Sequence, residues 1–179
     1  MNSINLDILR ERNALIIFIT QLITTISDKM LSIGLIWFIT KNLGPEIVPW
    51  FLTCAFLPHL LLSFVSSKFI HRFGTIRTLM ITEIFRGGVL LLYFFLLSNL
   101  SLSNQQFAYS LFIMIFCIGI GASLFTPAIL SSPPILVSDD KIIGLNAMID
   151  SSISISSILG AVMSIFLLNY FELNRLAIP

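Results

Sequence analysis

Apolar residues along this chain run rather than alternate. Five long runs occupy roughly 14–40, 47–67, 78–97, 107–127 and 142–168. They are parted by short stretches rich in charge, glycine, proline or serine: "KNLGPE", "KFIHRFGTIR", "SNLSLSNQQ" and "SSPPILVSDDK". A helix rises 1.5 Å per residue, so about 20 mostly apolar residues cross the hydrocarbon core of a bilayer. The pattern therefore predicts an all-α integral membrane protein, a bundle of about five transmembrane helices forming one domain over 1–179. A transmembrane β-barrel would show short segments of alternating character, and these runs do not alternate. No loop is long enough to hold a separate soluble domain. The first run is too long for a cleavable signal, carries charges and lacks a small-residue cleavage site, so it reads as a retained span.

The polar interruptions add direction. Lys and Arg gather in short cytoplasmic loops. One side of the predicted bundle receives Arg10, Arg12, Lys68, Arg72, Arg77 and Lys141, and the other Lys41 and Arg175. That bias puts the N-terminus and the 68–77 loop in the cytoplasm and, with an odd number of spans, the C-terminus outside. In "TPAILSSPPILVSDDKIIG" the prolines are expected to end the fourth helix and force extended chain. Asp139 and Asp140 are placed to cap or precharge the start of the fifth helix.

Composition agrees with this reading. The chain has 179 residues, 56% hydrophobic and 11% charged, with a mean hydropathy of +0.98, whereas soluble domains carry roughly a quarter charged residues. A net charge of +1 gives no nucleic-acid footprint. Cys54 and Cys117 sit inside apolar runs and read as small hydrophobes. His59 and His71 have no ligand cluster around them in the sequence. No HExxH, GxSxG or phosphate-binding loop is present, so neither an enzyme nor a cofactor is expected.

Against this background the polar residues inside the runs stand out. Asp28 lies near the middle of the first, where an ionisable group is costly unless it faces protein or water. Gln21, Thr24 or Thr25, Asp28 and Ser32 recur at three- and four-residue steps and share one helical face. The stripe reads either as the lining of a substrate or proton path or as a polar lock between helices. Lys29 points about 100° away and has no such support. Glu83 and Arg86, in "MITEIFRGGVLL", are spaced to pair on one face of the third span. Asn146, Asp150, Ser154 and Ser157 align on the fifth, with Asp150 a candidate for the same path as Asp28. The serines there suit close helix approach and hydrogen bonding across an interface, and Gly119, Ser123 and Pro127, with Gly121 beside them, read as a small-residue packing stripe.

The segment "SKFIHRFGTIR", with Arg72, Gly74 and Arg77, resembles the signature loop of the major facilitator superfamily, which reads roughly Gly-x-x-x-Asp-Arg-x-Gly-Arg-Arg. The first run, with Ser27 and Asp28 at its centre, looks like the first helix of the macrolide-efflux and siderophore-export branch. "FLPHLLLSF" with Pro58, "TEIFRGGVLL" with Glu83 and Arg86, and the run from Pro127 through Ala128 and Pro134 to Asn146 and Gly160 follow that branch in order. The resemblance covers nearly the whole chain. It implies a secondary transporter of two six-helix halves that binds its substrate near the midplane and alternates access, with export driven by protons. Carried over by position, Asp28 is the first-helix acid, and Arg72 and Gly74 belong to the loop that latches the cytoplasmic side. Ser67 and His71 stand where that loop's first Gly and its Asp would be. Of the fifth helix's Gly-Pro-x-x-Gly, Gly160 remains, followed by Ala161 and Ser164.

Five spans are one fewer than a half of such a transporter. The expectation is therefore that the chain is truncated. Either a second chain supplies the missing helices, or the chain is a non-transporting remnant or subunit. The expected setting is a bacterial inner membrane, with the lipid bilayer and a small molecule, a drug or siderophore, as partners.

Overall fold

The computed structural model describes residues 11–100 and 103–176, with side chains described as far as 170 except that of Asn104. Arg10 lies outside the described residues, and so does the side chain of Arg175. The helices are α1 Arg12–Asn42, α2 Val48–Phe73, α3 Thr75–Asn99, α4 Asn104–Leu130, the single turn α5 Pro133–Leu136, and α6 Ile142–Leu176, with 3₁₀ turns at Pro45–Ile47 and Asp139–Lys141. Among the described residues, five helical segments are long and apolar enough to cross a membrane. The protein is all-α and membrane-spanning.

Each helix outruns its apolar stretch, because hydropathy reports where lipid is tolerated and not where helical hydrogen bonding stops. The largest difference falls at 68–77, which is not a loop. α2 continues through Lys68, His71 and Arg72 to Phe73, and α3 begins at Thr75. Gly74 alone makes the turn. Its N–H closes α2 by donating to Ile70 O at 2.8 Å, and its carbonyl accepts from Thr78 N at 3.0 Å. Its φ of 82° and ψ of 151° lie in a region open essentially to glycine.

The fourth helix also differs from expectation. Pro127 lies inside α4; it forfeits one i→i−4 bond, and the helix runs one further turn to Leu130. The stretch that follows is not extended. Ser131 N bonds Pro127 O, Pro133 opens α5, and Lys141 N bonds Ser138 O. Asp139 and Asp140 sit in the 3₁₀ turn just ahead of α6, a position where negative charge suits the helix dipole. At the start of α4, Ser103 Oγ accepts from Gln106 N while Gln106 Oε1 accepts from Ser103 N, a reciprocal capping box.

The chain divides into two compact units, Leu43–Ser132 and the pair Met1–Asn42 with Pro133–Pro179. In the first, α4 packs on both α2 and α3 and supplies the buried Leu111, Met114, Ile115, Ile118 and Phe125. Its glycines serve two different neighbours. A Cβ on Gly119 would lie 2.7 Å from Ala55 O and 2.9 Å from Pro58 Cγ of α2, while one on Gly121 would strike the stem of Arg86 on α3. Two residues are about 200° of helical rotation, so the close approaches fall on opposite sides of α4. Phe51 edge-on to Phe112 and Tyr93 Oη at 3.2 Å from Ser110 Oγ complete the two seams.

In the second unit α1 packs on α6. Gly160 is the point of closest approach: a Cβ there would lie 2.7 Å from Lys29 Cβ and 3.0 Å from Ile26 O. Ser156 Oγ donates across the seam to Leu22 O at 3.1 Å. Lys141 pairs with Glu11.

Candidate functional site

On α1, Gln21 and Thr24 are buried, Asp28 is half-buried and Ser32 is exposed. Gln21 Nε2 donates to Thr25 Oγ1 at 3.2 Å. Its Oε1 is also buried and accepts no hydrogen bond from the described residues. A buried amide oxygen without a donor costs on the order of 1–3 kcal/mol. Opposite Ser156 and Gly160 of α6, α1 presents Leu22, Ile26 and Lys29. The stripe of Gln21, Thr24 and Asp28 lies roughly a third of a turn from that seam, given 100° per residue. Lys29, assigned no role by its spacing, contributes its Cβ to the seam although the residue as a whole is exposed.

On α6 the buried face is Leu145, Ile149, Ser152, Ser156, Gly160 and Ser164. Asn146, Asp150 and Ser154 are exposed, and Ser157 is half-buried. Six residues separate Asp150 from Ser156, again about a third of a turn, so Asp150 is not on the side of α6 that meets α1. The serines behave differently from the expectation that they bond across an interface. Ser151, Ser152, Ser154, Ser157 and Ser164 donate to carbonyls of their own helix, and Ser156 alone among these six reaches α1.

In the other unit, Arg86 Nη1 lies 3.0 Å from Glu83 Oε1, with side-chain exposures of 8% and 34%. The guanidinium is buried because its aliphatic stem crosses Gly121. A cation at this depth is expensive, and an adjacent carboxylate offsets part of the cost. Below the pair in α3, Thr78 and Thr82 are buried, each donating to carbonyls one turn back. His59 was not singled out by the sequence. It is half-buried beside Phe56, ring centroids 6.2 Å apart, with Nδ1 buried. The signal that finds it is one polar ring inside the apolar "FLPHLLL". At the turn between α2 and α3, Arg72 and Arg77 are exposed on either side of Gly74.

The described residues gather no group of three His, Cys, Asp or Glu side chains that would hold a metal ion. They present instead acid, amide and hydroxyl groups inside membrane-spanning helices, an arrangement able to bind small polar solutes or protons. The family model of the Major Facilitator Superfamily matches residues 17–175. The chain belongs to the Major Facilitator Superfamily. It is thus an integral membrane member of a family of transporters. No curated protein and no solved structure gave a match. The facilitator match takes in every candidate residue above, from Gln21 to Asp150.

Proposed function

We propose that this facilitator chain is a secondary exporter of a small molecule, a drug or siderophore, driven by the proton gradient and working by alternating access. Asp28 is the group that exchanges a proton or meets the substrate. Gln21 and Thr24 line the same path, and Asn146 and Asp150 extend it. The observation that carries the reading is the α1 stripe, a half-buried carboxylate and a buried amide oxygen on one face of a membrane helix. An ionisable group inside a membrane helix is costly and faces the bundle interior or a water-filled cavity, where substrate and proton paths run. The resemblance to the macrolide-efflux and siderophore-export branch supplies the direction and the substrate class. The distribution of Lys and Arg supports a cytoplasmic N-terminus in a bacterial plasma membrane.

The test is efflux of a fluorescent lipophilic dye and of an iron chelator from cells lacking their own exporters. Expression of this chain should lower accumulation of one of them and acidify the cytoplasm as it does so. Asp28→Asn should abolish that effect at an unchanged membrane level, and undiminished efflux by this variant would sink the assignment. A second reading is that the chain acts with a second membrane chain. Exposed Asn146, Asp150 and Ser154 on a spanning helix favour it, because polar groups in hydrocarbon are best covered by protein. Purification under mild detergent should then recover a complex heavier than one copy, and Asp150→Leu should dissociate it.

A further inference from the structure

The turn between α2 and α3 concentrates charge of one sign. Lys68 and Arg72 stand one helical turn apart on α2, and Arg77 lies in the first turn of α3. All three are exposed, as is His71. From Lys68 to Arg77 the chain contains no acid, and the three cations form no ion pair with a described residue. The nearest acid in sequence, Glu83, is already engaged by Arg86.

Aromatic rings are interleaved with these charges. Phe69 and Phe73 lie against each other tilted by 40°, centroids 4.5 Å apart, and the Arg72 guanidinium lies 5.7 Å from the Phe73 ring. Phe73 and Ile76 are 39% and 38% exposed beside them. Both flanking helices are membrane spans, so their junction lies at the depth of the lipid headgroups. Aromatic side chains settle there, and the stems of Lys and Arg carry charge to the phosphates.

We propose that this turn is a binding surface for the headgroup phosphate of an anionic phospholipid, which supplies the countercharge missing from the segment. Lys68 and Arg72 hold the phosphate from one side of Gly74 and Arg77 from the other, while Phe69, Phe73 and Ile76 rest on the upper acyl chains. The positive φ of Gly74 makes the turn short enough for the two helix ends to act on one headgroup. Clusters of basic residues at membrane ends attract anionic lipid at about fivefold per cation.

The full chain reconstituted in phosphatidylcholine bilayers, with spin-labelled phosphatidylglycerol or spin-labelled phosphatidylcholine as probe, tests this. Electron paramagnetic resonance should show at least a fivefold preference for the anionic probe. The preference should fall towards one in the triple variant Lys68→Gln, Arg72→Gln, Arg77→Gln, and persist in Lys41→Gln, whose ammonium sits over Trp37 in α1. In the unsubstituted chain, 1 M salt should abolish it without any mutation. Equal association of both lipids overturns the proposal and leaves the patch to an acidic protein partner. A preference that survives the triple substitution overturns it too. So does one that 20 mM inorganic phosphate removes at constant ionic strength, since the site would then bind free phosphate.

Discussion

Adding one methyl group at Gly119 should weaken the protein, whereas adding one at Gly88 should strengthen it. A Cβ on Gly119 would stand 2.7 Å from a backbone oxygen, Ala55 O, and 2.9 Å from the ring of buried Pro58. Neither is the free end of a flexible side chain. Reaching ordinary contact therefore requires α2 and α4 to separate by about 0.7 Å, which forfeits a quarter to a half of the dispersion attraction along the seam. Overpacking of this kind costs about 1–3 kcal/mol. Alanine's advantage over glycine within a helix returns roughly 0.5–1 kcal/mol, leaving a net loss of up to about 2 kcal/mol. Gly88, in α3, is exposed with nothing within 4 Å of an added Cβ, so Gly88→Ala keeps the helical gain alone. The assay is unfolding of the purified chain in mixed micelles by increasing dodecyl sulfate, followed by far-ultraviolet circular dichroism. The midpoint should fall for Gly119→Ala and rise for Gly88→Ala. If Gly119→Ala proves as stable as Gly88→Ala, α2 and α4 do not meet at Gly119 and the packing of this unit is wrong.

Three further outcomes are expected in the same titration or beside it. Gly74→Ala forces a side chain into glycine-only backbone space and should cost about 1–3 kcal/mol, while Gly34→Ala, with nothing within 4 Å, should cost nothing; equal midpoints would refute the turn geometry. A double-mutant cycle on Glu83→Leu and Arg86→Met should give a coupling of about 0.5–2 kcal/mol. Losing Glu83 should be the worse single change, because it leaves the more deeply buried partner charged. Ser103→Ala removes half of the capping box and should cost about 1 kcal/mol, seen as faster hydrogen exchange of the Gln106 amide with α6 unchanged.

Much of the fold is legible in the sequence because bilayer crossing is decided by apolar run length, and all five runs became helices. What hydropathy does not carry is helix continuity. Lys68, His71 and Arg72 end the apolar run but are compatible with helix, so α2 passes through them, and Pro127 gives up one hydrogen bond without ending α4. The identity of the small residues at 119 and 121 was readable, but their division between α2 and α3 follows from the angle between them and from which neighbours exist. At the candidate site, three- and four-residue spacing finds the burial of Gln21 and Thr24. It does not reveal that Ser32 is exposed, nor that Asp150 lies off the seam, because periodicity groups residues on a face without saying what the face meets. The same limit hides His59, whose surroundings come from α2's tertiary packing.

The inward bonding of the α6 serines bears on motion. A hydroxyl that donates to its own helix asks nothing of the helix next door. When α6 turns or slides along α1, Ser151, Ser152, Ser154, Ser157 and Ser164 carry their partners with them, and Ser156 alone among these serines must let go of Leu22. One interhelical hydrogen bond within a membrane is worth about 0.6 kcal/mol, comparable to thermal energy. As far as its serines are concerned, α6 is lubricated against α1, with Gly160 as the smooth spot on which it bears.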